Sequence, residues 1–142
     1  MYQTAIYIPR KLSNQLLTHA QQSPNKEVCG LVSSINNKAV RCYPIDNNAA
    51  QAHEQFLLDS QQHIEAMKLM RERGETLFAI YHSHPNAPAI PSKKDLSLTA
   101  YDNVLHFIIS LNTHGVLEMR GFCFQPRGAV EIGLLLCETE LA

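Results

Sequence analysis

The sequence contains neither a long apolar run nor a block of basic residues. No stretch approaches the roughly 18 apolar residues of a membrane-spanning helix, and the first residues lack the pattern of a signal peptide. The formal net charge is only −1, so the charge pattern favours neither a nucleic acid nor a membrane as partner. These absences predict a cytoplasmic globular protein.

Cysteines are few, and no two of them form a C-x-x-C pair. The four lie far apart in the chain, at Cys29, Cys42, Cys123 and Cys137. Closely spaced pairs would have indicated a structural zinc site or a redox centre. Widely spaced cysteines instead predict a reduced protein with free thiols. Cys29 and Cys123 stand in apolar strands, where we expect them to act as small buried hydrophobic residues.

Several metal-enzyme patterns are also missing. A zinc deaminase would carry H-x-E and P-C-x-x-C, and one class of metalloprotease would carry H-E-x-x-H, but the chain has none of these. A large amidohydrolase barrel needs about 250 residues, whereas only residues 85–142 follow His84.

The spacing of the apolar residues predicts alternating strands and helices. Strands are predicted at 4–8, 27–35, 39–45, 76–81, 104–111, 116–124 and 129–136, with a short extended piece at 55–58. Helices are predicted to begin at Pro9, at Asp59 or Ser60, and near Ser92. The last of these is predicted to carry Leu96, Leu98 and Thr99. The buried stripe of the second helix is predicted to be Ile64, Met67 and Met70. Hairpins, one of them turning at Asn36-Asn37, occur beside helical crossovers. The fold class is therefore an α/β sandwich with a mixed, partly antiparallel sheet flanked by helices, in one domain (1–142, core about 2–136).

A His-x-His pair, His82-Ser83-His84, stands at the end of the apolar and β-prone run 76–81. Residues two apart in a strand point to the same face, about 6.6 Å apart along the chain. His82 and His84 can therefore reach one metal ion while Ser83 points away. On this spacing alone, a metal site and a chance pairing are equally open.

Ser92 and Asp95 form a Ser-x-x-Asp pattern ahead of an apolar run, which is typical of a capping box at a helix N-terminus. A carboxylate in the first helical turn can also face a metal ion, so the two interpretations are compatible. Two imidazoles and a carboxylate are ligand types of a catalytic zinc site, which keeps a fourth position for water.

Glu27 opens an apolar strand, where glutamate is uncommon. A solvent-facing strand end would explain it, and so would a general base beside a hydrolytic metal site. Among the remaining histidines, His106 in an apolar strand is expected to be structural. His19 and His63 on predicted helices are expected at the surface.

The chain resembles the JAMM (MPN-plus) metalloprotease family through five polar positions and their spacing: Glu27, His82, His84, Ser92 and Asp95. Pro91 before the serine and Leu96 after the aspartate fit the same signature, and the stretch 27–31 resembles the glutamate strand of the family. The resemblance extends to about residue 124 and implies a cytidine-deaminase-like fold, the JAMM/MPN fold.

The resemblance also implies the role of each residue. His82, His84 and Asp95 would bind one Zn²⁺, and a bound water would complete the tetrahedron. Glu27 would be the general base and then the proton donor, and Ser92 would steady the developing oxyanion or the water.

The short loop 46–54 and the short region after Asp95 resemble the compact prokaryotic form of the family. That form implies a peptidase or isopeptidase that cuts after the C-terminal Gly-Gly of a ubiquitin-like or sulfur-carrier protein. Two alternatives stay open. One is a non-catalytic scaffold of the same fold that acts by protein interaction, and the other is a zinc hydrolase of small amides or a RadC-type relative.

Overall fold

Seven strands and three helices make up the part of the chain that the computed structural model describes, which is residues 5–97, 104–113, 117–126 and 128–138. Those before residue 75 are β1 (Ala5–Pro9), α1 (Arg10–Gln21), β2 (Cys29–Ile35), β3 (Lys38–Ile45) and α2 (Ser60–Glu72). Those after it are β4 (Thr76–His84), α3 (Lys93–Leu96), β5 (Leu105–Ser110), β6 (Glu118–Gln125) and β7 (Gly128–Cys137). None of these helices is long and apolar enough to cross a membrane.

The strands form one mixed sheet in the order β1-β7-β6-β5-β4-β2-β3. The pairs β1–β7 and β4–β5 run parallel, and the other neighbours run antiparallel. Helix α1 contributes to the core on one face of the sheet, and α2 contributes to the core on the other. The predicted α/β sandwich with a mixed sheet between helices is therefore confirmed.

A tight turn joins β2 to β3. Asn36 and Asn37 both have positive φ values, 52° and 63°, as in a type I′ turn, so the predicted hairpin is confirmed. β2 begins at Cys29, two residues later than predicted, so Glu27 precedes the strand rather than opening it. Because Cys29 pairs with His82 in antiparallel register, Glu27 still lies at the end of β2 that is nearest His84.

Helix α2 buries Met70 and packs Met67 against the core, as predicted, but Ala66 takes the place predicted for Ile64. Ala66 and Met70 are buried against the side chains of Leu31 and Ile80 on the sheet. Ile64, predicted to be buried, is 65% exposed, so this prediction is wrong. Residues two apart lie about 160° apart around a helix, so a face that buries Ala66 turns Ile64 toward the solvent.

Strand β4 is an interior strand of the sheet and lies between β2 and β5. Side chains alternate along a strand, so Tyr81 and Ser83 point to the α1 face and His82 and His84 to the α2 face. A Cβ atom on Gly30, which pairs with Tyr81, would lie 2.5 Å from the tyrosine ring. Glycine at this position therefore lets the two strands pack around Tyr81 and fixes the strand that carries the histidines.

Candidate metal centre

Three polar atoms from β4 and α3 converge at the end of the sheet. The Nε2 atoms of His82 and His84 lie 3.1 Å apart. The Oδ2 atom of Asp95 lies 3.1 Å from Nε2 of His82 and 3.0 Å from Nε2 of His84. All three side chains are buried. The residues predicted to bind metal are therefore brought together in one cluster.

The spacing of these atoms fits a small divalent cation. Ligand bonds of about 2.0–2.1 Å in a tetrahedron place the donor atoms about 3.3 Å apart. The separations of 3.0–3.1 Å in the cluster are close to that value. Two imidazole nitrogens and a carboxylate oxygen at these positions could all coordinate a single cation.

A backbone acceptor orients the ring of His84. Its Nδ1 atom donates to the carbonyl oxygen of Pro88 at a distance of 2.8 Å. In the neutral ring, the Nε2 atom then carries the lone pair that faces the cluster. The sequence did not predict the role of Pro88, because every residue has a backbone carbonyl and the residue type therefore gives no signal.

Asp95 belongs both to a helix cap and to the cluster. The Oγ atom of Ser92 accepts from the backbone N–H of Asp95 at 3.0 Å, and Oδ2 of Asp95 accepts from the backbone N–H of Ser92 at 2.9 Å. The predicted capping box is therefore confirmed, and it uses the oxygen atom that faces the histidines. The predicted continuation of this helix through Leu98 and Thr99 lies outside the described residues.

One carboxyl oxygen of Glu27 is buried without a hydrogen-bond partner among the described residues. That atom is Oε1, and the residue is 5% exposed. The backbone is held on both sides, because its N–H donates to the Ala52 carbonyl at 2.7 Å and its carbonyl accepts from Nδ2 of Asn47 at 2.9 Å. The main chain is thus fixed while one carboxyl oxygen is left for a group that the described residues do not supply.

Glu27 and one residue of the cluster, His84, line an open cavity of about 490 Å³. Ser92 also lines it, as do Lys94 and Glu54, whose Nζ and Oε1 atoms form an ion pair at 2.9 Å. A volume of this size is typical of substrate sites. A molecule in this cavity would therefore meet both Glu27 and His84.

Burial acts on two carboxyl groups of the site with opposite outcomes. Burial raises the pKa of Glu27 to about 7, while His84 opposes the rise and Asp95 adds to it. Burial alone would also raise the pKa of Asp95, but the nearby side chains of His82 and His84 outweigh it and hold that pKa well below its usual range. At neutral pH, Asp95 is an ionised ligand type, and Glu27 is poised to take up or release a proton.

Phe56 supports the site through a ring contact, and the structure also shows the positions of three histidines outside the cluster. Phe56, in the piece predicted only as extended, stacks on His82 with ring centroids 4.5 Å apart. His19 and His63, expected at the surface, are partly exposed, and Nδ1 of His19 lies 2.7 Å from the hydroxyl of Tyr81. His106 is fully buried, as expected for a structural residue.

The predicted thiol state fits the structure. Within the described residues, no disulfide joins the cysteines, and Cys29 and Cys123 are buried as expected.

The fold and the ligand set define an α/β protein with a two-histidine, one-carboxylate centre of the JAMM type. A solved structure titled "JAMM: A Metalloprotease-like Zinc Site in the Proteasome and Signalosome" shares the fold, with a TM-score of 0.58 and 20% identity over 95% of this chain and 100% of that chain. The model of the family described as prokaryotic homologs of the JAB domain matches residues 9–121. The chain belongs to this family and is a JAMM-type hydrolase by class.

Three similar proteins are named as a probable protease, a desampylase and a peptidase. A protein of Thermus thermophilus, named as a probable TtuB-protein conjugate cleaving protease, is 33% identical over 64% of this chain and 61% of its own length. The desampylase of Haloferax volcanii is 24% identical over 68% of this chain and 74% of its own. The CysO-cysteine peptidase of Mycobacterium tuberculosis is 25% identical over 82% of this chain and 81% of its own. The match thus spans less than two thirds of the Thermus protein.

A second solved structure is more similar across the whole chain. The solution structure of a protein from Desulfitobacterium hafniense has a TM-score of 0.86 and 30% identity, and the match covers 95% of this chain and 94% of that one. The arrangement of strands and helices described above is therefore shared over nearly the full length of both chains.

Proposed function

We propose that the protein is a zinc-dependent peptidase or isopeptidase in which His82, His84 and Asp95 hold one Zn²⁺. The observation that carries the proposal is the cluster of three buried ligand atoms 3.0–3.1 Å apart. One residue of the cluster, His84, lines the same cavity as the buried Glu27, whose Oε1 atom has no hydrogen-bond partner among the described residues. A non-catalytic scaffold of this fold would not need a complete set of metal ligands. The complete set in this chain therefore favours an enzyme over a scaffold.

Glu27 is the proposed general base and proton donor. When bound, Zn²⁺ supplies Lewis acidity, which brings the pKa of a water to about 7 and polarises the scissile carbonyl. Burial raises the pKa of Glu27 to about 7, so its carboxylate can take a proton from the attacking water. The protonated carboxyl can then give the proton to the leaving amine, which restores the base.

Ser92 is the proposed donor to the developing oxyanion. Its Oγ atom already accepts a hydrogen bond from the backbone of Asp95. Its own hydroxyl hydrogen therefore remains available to donate, and the capping box fixes the position of the oxygen. Stabilisation of an oxyanion by one positioned donor is typically worth about 3 kcal/mol.

The proposed substrate is a conjugate or precursor that is cut after the C-terminal Gly-Gly of a ubiquitin-like or sulfur-carrier protein. The names of the Thermus, Haloferax and Mycobacterium relatives support this class, since each describes cleavage of a conjugate or a carrier-linked amino acid. The open cavity beside the cluster supports it as well, because a flexible glycine tail can enter as an extended segment.

The test combines metal content with cleavage of a defined fusion. The zinc-loaded protein is incubated with a sulfur-carrier protein whose Gly-Gly terminus is followed by a short peptide, and products are identified by mass spectrometry. The matched control ends in Gly-Val. We expect one zinc per chain and cleavage after Gly-Gly only. Zinc binding without cleavage of any such fusion would contradict the substrate class and favour a small-amide hydrolase. No zinc and no cleavage would favour a scaffold.

A further inference from the structure

Two neighbouring histidines leave buried ring nitrogens unpaired. Nδ1 of His82 and both ring nitrogens of His106 have no hydrogen-bond partner among the described residues. Both residues are 0% exposed. His84, by contrast, donates its Nδ1–H to the Pro88 carbonyl. Buried polar atoms in folded proteins nearly always have a partner, either in the protein or in an ordered water.

The register of the sheet places the two rings on the same face. In the parallel pair β4–β5, Ile80 is opposite His106 and His82 is opposite Ile108. His82 and His106 are therefore diagonal neighbours, about 8 Å apart between Cα atoms from the strand spacing and rise. The two rings form no direct hydrogen bond, and a buried water is the usual partner of polar atoms that the protein itself leaves unpaired.

Both rings are held in place by aromatic stacking. Phe124 lies parallel to His106, with ring centroids 3.8 Å apart and an interplanar angle of 5°. Phe56 stacks on His82 at 4.5 Å. Burial, and next the proximity of His82, lower the pKa of His106 to about 4. The neutral ring of His106 therefore has one nitrogen that accepts a hydrogen bond.

We propose that His106 is a positioning residue for the metal ligand His82, whose Nδ1–H it accepts through one buried water. This bond would hold His82 in the tautomer that turns the Nε2 lone pair toward the cluster, as Pro88 does for His84. The inference rests on the proposed function, because only a ligating His82 needs a fixed tautomer.

The test measures zinc affinity directly, by competition with a chromophoric chelator, in His106→Phe and His106→Gln. Phenylalanine keeps the stack on Phe124 but removes the acceptor, and we expect the Kd for zinc to rise about 10- to 100-fold. Glutamine keeps an acceptor, and we expect it to rescue most of the affinity. Ile108→Val is the matched control, because it alters packing directly opposite His82 without changing a polar group. We expect its Kd to stay close to wild type.

A second readout follows the bond itself. In ¹⁵N-detected spectra of the zinc-loaded wild type, we expect a slowly exchanging Nδ1–H resonance from His82 that is lost in His106→Phe. Rapid exchange of that proton in the wild type would overturn the inference, even if the phenylalanine variant does not fold.

The affinities separate this inference from the proposed function. Equal tight zinc binding in wild type, His106→Phe and Ile108→Val would overturn the role of His106 and leave the metal site standing. Absence of zinc binding in the wild type would overturn both.

Discussion

Two buried glutamates of this protein have similar exposure and opposite surroundings. Glu27 is 5% exposed and Glu75 is 6% exposed. Both oxygens of Glu75 have partners, since Oε1 accepts from the hydroxyl of Tyr43 at 2.5 Å and Oε2 accepts from Nε of Arg41 at 3.0 Å. Oε1 of Glu27 has none within the described part of the chain.

The pKa values follow this difference. Burial alone would raise the pKa of Glu75, but the bonds from Tyr43 and Arg41 outweigh it and lower the pKa. Burial raises the pKa of Glu27 to about 7 because nothing comparable opposes it. A carboxylate whose bonds are complete stabilises the fold, whereas one whose bond is missing is available for chemistry. Burial of a charged residue is thus uninformative until its partners are counted.

The largest expected effect is on turnover. Glu27→Gln removes the base, and we expect kcat to fall by about 10²- to 10⁴-fold while zinc remains bound. Steady-state cleavage of the Gly-Gly fusion and metal analysis of the same sample check this. Glu75→Gln is the matched control, and we expect the kcat of its folded fraction to stay within about twofold of wild type. Near-wild-type turnover of zinc-loaded Glu27→Gln would rule out Glu27 as the base.

The next largest effect concerns the metal. Asp95→Asn keeps a side chain that can still cap α3 but removes the charged ligand, and we expect the Kd for zinc to rise more than about 100-fold. Asp59, which caps α2 through the backbone N–H of Gln62, offers a control, since Asp59→Asn should leave zinc affinity unchanged. If the two variants bind zinc equally well, Asp95 is only a capping residue.

The third prediction concerns Glu75 and the stability of the fold. Glu75→Gln weakens two charge-assisted hydrogen bonds in a buried network, and we expect the free energy of unfolding to fall by about 1.5–3 kcal/mol. Urea denaturation of the metal-free proteins measures it. If the free energy of unfolding falls no more than it does for a substitution at an exposed position, the hydrogen bonds from Tyr43 and Arg41 to Glu75 contribute little to stability.

The smallest effect is a pH dependence of stability. The pKa of Glu27 is about 7 in the folded chain, above its ordinary value of 4.5, so the folded state binds more protons between these values. Stability of the metal-free protein should therefore fall as pH rises from about 4.5 to 7. Allowing for screening by solvent in the open cavity, Glu27→Gln should be more stable than wild type by about 2 kcal/mol at pH 8. At pH 4.5 the two should converge, and a constant difference across this range would contradict the assignment.

The cluster could be predicted from sequence because its residues obey local rules. His82 and His84 share a strand face through a period of two, and Ser92 and Asp95 form a capping box that fixes the carboxylate. The alternation of strands and helices likewise predicted the mixed sheet. Glu27, 55 positions before His82 in the chain, was selected by its unusual place ahead of an apolar strand and by the family resemblance.

What the sequence could not predict depends on tertiary packing. Ile64 and Ala66 are both compatible with a helical period, and only the close approach of α2 to Leu31 and Ile80 decides which is buried. The Pro88 carbonyl and the ring of Phe56 meet the histidines through chain folding, without a residue pattern of their own. Partners of this kind are visible only in three dimensions.

The most direct test of the metal centre is an anomalous difference map recorded at the zinc absorption edge from crystals of the zinc-loaded protein. We predict one strong peak within about 2.0–2.2 Å of Nε2 of His82, Nε2 of His84 and Oδ2 of Asp95, beside the carboxyl group of Glu27. A map with no peak at these three atoms, or with zinc bound only elsewhere, would contradict the account.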